Sequence, residues 1–311
     1  MEKISIICPF YNEQSIIENA VHDLIKLLNS IKYDYELILV NDGSTDDSVF
    51  EIEEIISSNK NVKLVTYSQN QGRGFALQSG IAKSIGDIII TTEIDLSWGS
   101  SVILDILNKF KSEPNAEVVI ASPNLKGGGY KNVPLRRIFI SKLGNKIIRA
   151  LFTKKVTMNT GMTRGYKKEV IKNMKFDEKG KEFHLEALLK LFSIGAHIVE
   201  VPAILEWKDE KLSKPGLAKR KSSSKTKKLI FSHLNFAVFA NPIRYFWFFS
   251  MICFCAGSVL LYFGFVNYLF GGVSVFYFLL SLMLFLFCIL FFGFGILSSQ
   301  NNKILKEIWK N

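Results

Sequence analysis

The sequence has few cysteines and few histidines, with four of each among 311 residues. The cysteines have neither the spacing of a zinc site nor that of a disulfide framework. One lies in the first predicted strand and three lie in apolar segments near the end: Cys8, Cys253, Cys255 and Cys288. No leader of signal-peptide length precedes the first predicted strand, so we expect the amino-terminal domain to stay in the cytoplasm. No internal repeat is evident.

Acidic residues are also scarce: the sequence contains 28 Asp and Glu but 39 Lys and Arg, which gives a formal charge of +11. The excess is concentrated in one short run that contains no acid and directly precedes an apolar tail. At this position a basic run favours contact with anionic lipid headgroups rather than with nucleic acid. The run consists of Lys219, Arg220, Lys221, Lys225, Lys227 and Lys228.

The apolar tail contains two long runs with almost no charge. Ile243–Tyr268 has a single charged residue, Arg244, and Val273–Leu297 has none. Each run exceeds the roughly 20 residues that a helix needs to span a bilayer. Because both outer flanks are basic, the positive-inside rule places both flanks and the amino-terminal domain on the cytoplasmic side. The sequence therefore predicts a transmembrane hairpin at about 243–268 and 273–298; two buried helices of a soluble protein are the alternative.

Short strands alternate with helices over the first 122 residues. This alternation predicts an α/β domain with a mainly parallel central sheet and helices on both faces. We expect this domain over residues 1–215, a basic juxtamembrane linker over 216–241 and the membrane hairpin over 242–311. The predicted strands are Ile4–Phe10, Glu36–Val40, Val62–Tyr67, Asp87–Thr92, Glu117–Ser122 and His197–Val201; the predicted helices include Gln14–Ser30, Val49–Ile56, Gly72–Lys83, Val102–Lys111, Pro134–Phe152 and Phe183–Phe192.

The stretch Leu37–Ser48 reads as a buried strand that runs into an acidic turn and then into a helix. Asp42 lies where the strand ends, which is where open α/β sheets bind ligands. Ser44 is expected to cap the helix, with Asp47 as its capping-box partner. A carboxylate at this edge suits the polar edge of a nucleotide.

Glu93 and Asp95 directly follow the strand that ends at Thr92. If the segment is extended, both carboxylates point to the same side. Two carboxylates together with substrate phosphates are typical ligands of a hard divalent cation such as Mg²⁺. In the alternative interpretation, Asp95 or Ser97 only caps the next helix.

Taken in order along the chain, these segments resemble the nucleotide-sugar site of family-2 glycosyltransferases, which have the GT-A fold. The resemblance covers most of residues 1–215 and implies a divalent cation, Mg²⁺ or Mn²⁺, held by Glu93 and Asp95. Glu93 departs from the family, which usually has Asp at that position. The residues matched to nucleotide-sugar contacts are Pro9, Tyr11, Glu13, Val40, Asp42, Arg73, Glu93, Ile94, Asp95 and Ser97.

The second half of the domain resembles the branch that uses polyprenyl or dolichyl phosphate as acceptor. A Gly127-Gly128 loop is followed by Arg137 and Ser141, which by this resemblance hold the acceptor phosphate. An Arg fork and a hydroxyl one helical turn apart suit a phosphate. Their helix is basic and amphipathic, which is typical of a membrane surface. A solvated basic face, with Arg137 in a surface ion pair, is the alternative.

The stretch Thr160–Tyr166 resembles a further motif of the family. Arg164 matches this motif, and the resemblance implies that it is a catalytic residue. Met158 and Met162 depart from the motif. Lys208 and Lys214 match positions that neutralise the donor diphosphate, although charged loop residues in solvent are an equal alternative.

The sequence offers no clear general base; Glu182 and His184 are the nearest candidates, and His184 replaces an acid common in the family. A phosphate monoester is already largely anionic at neutral pH, so such an acceptor needs no deprotonation. The resemblance thus implies an inverting enzyme, with Asp95, Arg137, Ser141 and Arg164 as catalytic residues.

This enzyme would move one hexose from a UDP- or GDP-sugar to polyprenyl or dolichyl phosphate at a membrane. The branch often assembles into homo-oligomers through its membrane part. A membrane-anchored nucleotide-sugar binder without turnover is the alternative. A processive polysaccharide synthase is less compatible, because its Gln-x-x-Arg-Trp motif does not occur in the sequence.

Overall fold

The computed structural model describes residues 2–99, 101–151, 156–207 and 242–310. The described residues fall into two compact units, one up to Trp207 and one from Pro242. Each unit is considered by itself below.

The first unit is built from alternating strands and helices, as predicted. Its strands are β1 (Lys3–Phe10), β2 (Asp34–Asn41), β3 (Val62–Thr66), β4 (Ile88–Thr91), β5 (Val118–Ser122), β6 (Gly129–Lys131), β7 (Arg164–Lys167), β8 (Ile198–Pro202) and β9 (Ile204–Glu206). Its helices are α1 (Ile17–Ser30), α2 (Phe50–Ser58), α3 (Arg73–Lys83), α4 (Val102–Ser112), α5 (Leu135–Leu151), α6 (Lys168–Ile171) and α7 (Phe183–Ile194).

Seven strands form the central sheet in the order β3-β2-β1-β4-β7-β5-β8. All neighbouring pairs are parallel except those of β7, which runs antiparallel to both β4 and β5. The predicted mainly parallel α/β sheet is therefore confirmed. The sequence did not indicate β7, because Arg164–Lys167 is short and has no apolar alternation. A separate small sheet pairs β6 with β9 in parallel.

The core lies on both faces of the central strands. Residues 4–8 of β1 and 35–41 of β2 are buried, as expected for strands covered by helices on each side. Helix α3 approaches this sheet closely at Gly80, because a side chain there would collide with Ile7. This close packing holds the second half of α3 against β1 and β2.

The second unit is a pair of long apolar helices, α8 (Pro242–Leu269) and α9 (Val275–Lys310). Residues 243–269 and 275–301 are long and apolar enough to cross a membrane, with mean hydropathies of 2.0 and 2.8. Ser250 Oγ donates to the Cys288 carbonyl at 2.9 Å, and Ser281 Oγ donates to the Gly257 carbonyl at 2.9 Å. These two contacts show that the helices pack antiparallel, as expected for the predicted hairpin.

Glu36 is a buried charge near the start of β2, away from the carboxyl ends of the strands. Its carboxylate accepts hydrogen bonds from Lys63 Nζ at 2.7 Å, Ser5 Oγ at 2.5 Å and the Ile85 amide at 2.6 Å. Burial alone would raise the pKa of Glu36, but these hydrogen bonds and the Lys63 charge outweigh burial and lower it. The charged form is thus favoured by folding.

A lowered pKa predicts that Glu36 stabilises the fold at neutral pH and loses this contribution in acid. The contribution is complete above the usual value of 4.5 and disappears as the pH falls through the lower folded pKa. We expect Glu36→Gln to have a lower Tm than wild type at about pH 7 and a shrinking difference towards about pH 3. Thermal unfolding of the detergent-purified protein tests this, and a pH-independent difference would contradict it.

Candidate functional site

The loops that follow β1 and β2 are joined by hydrogen bonds. The Asn12 amide donates to Ser44 Oγ at 3.1 Å, the Thr45 amide donates to Asn12 Oδ1 at 2.8 Å, and the Glu13 amide donates to Ser48 Oγ at 2.9 Å. These contacts place Glu13 and the acidic turn of β2 side by side at the carboxyl edge of the sheet.

The predicted capping box at Ser44 and Asp47 is wrong. Helix α2 begins at Phe50, later than predicted, and no side chain caps it. The Ser44 hydroxyl instead accepts a hydrogen bond from the Asn12 amide, so it stabilises the neighbouring loop. The sequence pattern was misleading because the hydrogen-bond partner is 32 residues away along the chain.

Asp42 is buried and lies at the centre of the loop that leads into α3. Its Oδ1 accepts from the Tyr67 hydroxyl at 2.7 Å and the Gln71 amide at 2.9 Å; its Oδ2 accepts from Asn70 Nδ2 at 3.0 Å and the Gly72 amide at 3.1 Å. Burial, together with Asp42, raises the pKa of Tyr67. The carboxylate therefore shapes the loop, and a contact of Asp42 with a nucleotide stays a prediction.

Gly72 gives α3 its sharp start, because its φ of 103° lies in the left-handed region that favours glycine. Arg73 follows as the first residue of the helix. Its Nη1 lies 3.3 Å from Glu93 Oε1. The fold thus brings together two predicted site residues that are 20 positions apart in sequence.

Glu93 is fixed by three side chains. Besides Arg73, Ser97 Oγ donates to Glu93 Oε2 at 2.7 Å, and Trp98 Nε1 donates to the same oxygen at 3.2 Å. Trp98 is 6% exposed and was not predicted from the sequence. In the sequence, Trp98 could have been recognised only as an indole N–H donor close to a carboxylate, and this pattern is weak by itself.

The segment after β4 is a turn, so the prediction that Glu93 and Asp95 point to one side of an extended segment is wrong. The Leu96 amide donates to the Glu93 carbonyl at 3.2 Å, and Leu96 has a φ of 51°. Asp95 Oδ1 accepts the Ser97 amide at 2.9 Å. The alternative interpretation, in which Asp95 or Ser97 caps a helix, is also wrong, because α4 begins at Val102.

The turn nevertheless offers oxygen atoms that suit a hard divalent cation. Two carboxylates and one hydroxyl, those of Glu93, Asp95 and Ser97, lie within five residues. Within the described ranges, no group of three or more His, Cys, Asp or Glu side chains is placed to hold a metal alone. Mg²⁺ and Mn²⁺ take one or two protein carboxylates and complete their coordination with water and substrate phosphates, so the two carboxylates of the turn suit such a cation. Both carboxylates have hydrogen-bond partners within or beside the turn, and their role as cation ligands stays a prediction.

The remaining residues predicted to contact the nucleotide differ in exposure. The Tyr11 ring is 41% exposed and Pro9 is half-buried, whereas Val40 and Ile94 are buried in the core. Side-chain contact with a ligand therefore does not fit Val40 or Ile94, whose side chains pack inside the domain. Only their main chains are at the edge of the site.

Helix α5 carries Arg137 and Ser141 one turn apart, as predicted. Arg137 is exposed, and its Cζ lies 4.6 Å from the centre of the Trp207 ring. The Tyr130 hydroxyl donates to Asn124 Oδ1 at 2.9 Å. Burial raises the pKa of Tyr130, and the side chains of Ser141 and Asn124 partly oppose this effect. The partner of Arg137 in the described part of the chain is thus an aromatic ring, not a carboxylate.

Arg164 does not have the exposure that its predicted catalytic role requires. It is fully buried, and its guanidinium donates to the carbonyls of Gly161 at 2.8 Å, His184 at 2.9 Å and Asn159 at 2.7 Å. Arg164 therefore positions the loop before β7 and the start of α7. A direct contact with substrate does not fit this geometry.

His184 lies next to this buried guanidinium. It is 3% exposed, and neither ring nitrogen has a hydrogen-bond partner among the described residues. Burial, followed by the positive charges of Arg164, Arg73 and Lys181, lowers the pKa of His184 well below its usual value. The imidazole is therefore neutral at neutral pH.

Lys208 and Lys214 lie outside the described residues, as do the basic run and the predicted linker over 216–241. Their assignments stay predictions.

Known proteins resemble this chain in sequence and in structure. A dolichol-phosphate mannosyltransferase of Pyrococcus furiosus is 27% identical over 203 residues, which are 64% of this chain and 55% of that protein. An uncharacterized glycosyltransferase of Synechocystis is 29% identical over 173 residues, which are 56% of this chain and 52% of that protein. The chain thus matches about half the length of these curated relatives.

Among solved structures, glucosyl-3-phosphoglycerate synthase from Mycobacterium tuberculosis, in complex with Mn²⁺, UDP-glucose and phosphoglyceric acid, superimposes with a TM-score of 0.57. The identity is 19%, and the match covers 76% of this chain and 80% of that one. This likeness confirms the predicted GT-A fold. The model of glycosyl transferase family 2 matches residues 5–175, more than half of the sequence, and the chain therefore belongs to that family.

Proposed function

We propose that this protein is a membrane-anchored, inverting glycosyltransferase that moves one hexose from a nucleotide sugar to polyprenyl or dolichyl phosphate. The observation that carries the proposal is helix α5, which combines a guanidinium and a hydroxyl one turn apart with exposed apolar side chains. Arg137 and Ser141 lie on one face. The outer face exposes large apolar side chains, those of Leu135, Phe139, Ile140 and Leu143.

The charge around α5 suits an anionic acceptor at a membrane surface. From Val118 to Lys168 the sequence contains twelve Lys and Arg and no Asp or Glu. Basic side chains beside an exposed apolar face are typical of helices that lie in the interface of a bilayer with anionic headgroups. Helices α8 and α9 would anchor the domain, with the segment before α8 and the segment after α9 on the cytoplasmic side. We also propose that the protein forms homo-oligomers through these two helices.

The state of His184 supports an acceptor that is already anionic. A hydroxyl acceptor must lose a proton, and a buried neutral imidazole without a hydrogen-bond partner in the described ranges is poorly placed to take one. A phosphate monoester has a second pKa near 6 and arrives as a nucleophile at neutral pH. Transfer then depends on positioning rather than on proton removal.

The donor half of the site is proposed to bind a UDP- or GDP-sugar. A divalent cation, Mg²⁺ or Mn²⁺, would be held by Asp95, with Glu93 and Ser97 beside it, and would supply positive charge against the charge that develops on the departing diphosphate. Arg73 adds a fixed positive charge, oriented by Glu93. Tyr11 offers an exposed ring at the same edge for the base, and Lys208 and Lys214 would add charge to the diphosphate.

A donor panel tests the proposal directly. The detergent-purified protein is incubated with radiolabelled UDP- or GDP-sugars, Mg²⁺ or Mn²⁺ and a short polyprenyl phosphate, and label in the organic phase is counted. We expect transfer from one donor. Donor binding without transfer from any donor would instead favour the nucleotide-sugar binder without turnover.

If α5 contacts the bilayer, replacing its exposed apolar side chains should raise KM for long-chain acceptors but not for short ones. In nanodiscs with anionic lipid, Phe139→Glu combined with Leu143→Glu is expected to raise KM for a long-chain polyprenyl phosphate by about tenfold or more, since two apolar side chains no longer enter the interface. KM for a short, water-soluble polyprenyl phosphate should stay unchanged. Equal losses with both acceptors would show that α5 does not act through the bilayer.

A further inference from the structure

We propose that Trp207 is a positioning residue for the acceptor: its ring holds Arg137 in place for the acceptor phosphate, and its strand connects Arg137 to the donor turn at residues 93–97. This inference rests on the proposed function. It assigns a role to an aromatic side chain that neither the nucleotide-sugar motifs nor the phosphate motif includes.

The contact between the two side chains leaves the guanidinium available for a ligand. Arg137 Cζ lies 4.6 Å from the ring centre of Trp207, within the range of a cation–π interaction. In the part of the chain that the structure describes, no hydrogen bond or ion pair occupies the Arg137 guanidinium, whose recorded contact is the Trp207 ring. A guanidinium above an aromatic face keeps its N–H groups in its own plane, where they can bind a phosphate in bidentate fashion.

Trp207 is itself held by main-chain contacts at the end of β9. The Trp207 amide donates to the Lys131 carbonyl at 3.1 Å, which extends the pairing of β9 with β6. Lys131 Nζ also pairs with Glu206 Oε1 at 2.7 Å. The main chain of Trp207 is therefore fixed to a paired strand, so its ring projects from a defined point of the fold towards the exposed side chain of Arg137. Pre-ordering a side chain in this way reduces the entropy that is lost when a ligand binds.

The same short strand contacts the donor half of the site. The Glu206 amide donates to the Ser97 carbonyl at 2.7 Å, and Ser97 Oγ donates to Glu93 Oε2 at 2.7 Å. A continuous path of contacts thus joins Arg137, Trp207, β9, the turn at 93–97 and Arg73. This path sets the spacing between the proposed acceptor phosphate and the proposed donor diphosphate, on which an in-line displacement depends.

The test compares Trp207→Leu with Trp207→Phe. Farnesyl phosphate is the probe, and its binding to the full-length, detergent-purified protein is measured by calorimetry, beside KM and kcat for sugar transfer. We expect Trp207→Leu to weaken farnesyl phosphate binding by about 5- to 30-fold and Trp207→Phe by at most about 3-fold, since a phenyl ring retains most of the cation–π attraction. KM for the donor should stay unchanged in both variants, which also shows that the domain is folded.

A double-mutant cycle separates positioning of Arg137 from a general structural role. If Trp207 acts through Arg137, then Trp207→Leu adds nothing to the loss caused by Arg137→Ala. Additive losses, or a Trp207→Leu variant that binds farnesyl phosphate like wild type, would overturn the inference. Lys26→Ala, which removes an exposed positive charge on α1, is the control and should bind like wild type. If wild type itself neither binds farnesyl phosphate nor transfers sugar to it, the proposed function fails and the inference fails with it.

Discussion

Asp95→Asn is expected to reduce kcat for sugar transfer by about 10²- to 10³-fold, the loss typical when a group that stabilises developing charge is removed. Asn keeps the size of the side chain and an oxygen that can accept the Ser97 amide, so the turn should persist. What is lost is the negative charge that would hold the cation. The measurement is the initial rate of label transfer together with Mn²⁺ affinity, measured calorimetrically in the presence of the nucleotide.

The matched control is Asp23→Asn, which neutralises an exposed carboxylate on α1 and should leave both quantities unchanged. Glu93→Gln should have a different effect, because its main contacts are with Arg73, Ser97 and Trp98. We expect it to weaken donor binding more than Mn²⁺ binding. Full activity of Asp95→Asn would remove the metal-binding role from Asp95.

Asp42→Asn is expected to destabilise the domain by about 2–4 kcal/mol, the cost typical of disrupting a buried, hydrogen-bonded carboxylate. Its two oxygens accept hydrogen bonds from two side chains and two backbone amides. In the Asn variant an NH₂ group replaces one acceptor and faces donors. For a domain of this size the loss corresponds to a fall in Tm of about 5–15 °C.

Differential scanning fluorimetry of the detergent-purified protein measures this change. Asp34→Asn is the control, because that carboxylate is exposed and pairs with Lys3 at the surface, where the loss should be within about 0.5 kcal/mol. An unchanged Tm for Asp42→Asn would mean that the loop before α3 does not depend on this carboxylate. A normal Tm combined with lost donor binding would instead favour the predicted nucleotide contact.

Features with local periodicity or composition were accessible from the sequence. Strands β1, β2, β4 and β5 are apolar runs buried on both faces, and the two tail helices are long apolar segments, so composition alone predicted them. Strand β7 was missed because it is short and contains Gly165 and Arg164, whose burial depends on neighbours far away in sequence. Strands β6 and β9 have three residues each, too few for a pattern.

The site was likewise predictable only where a local sequence motif was present. Sequence motifs predicted which residues lie at the carboxyl edge of the sheet, and the fold brings Arg73 to Glu93. The motifs did not predict what each polar side chain contacts, because those contacts depend on the tertiary fold. Ser44 accepts from Asn12, 32 residues away, rather than capping α2, and the buried Arg164 donates to three carbonyls, one of them 20 residues away, rather than facing the site. Trp98 was missed because an indole N–H near a carboxylate in sequence is a weak pattern by itself.

The central claim is that the sugar is transferred to a phosphate oxygen of a lipid. The most direct test gives the donor identified by the panel to three acceptors in parallel reactions: a short polyprenyl phosphate, the matching polyprenol without phosphate, and 3-phosphoglycerate. We expect transfer to the polyprenyl phosphate alone, and release of the free sugar from the product by mild acid, which cleaves the bond between the anomeric carbon and the phosphate oxygen. Transfer to the polyprenol or to 3-phosphoglycerate, with none to the polyprenyl phosphate, would contradict the account.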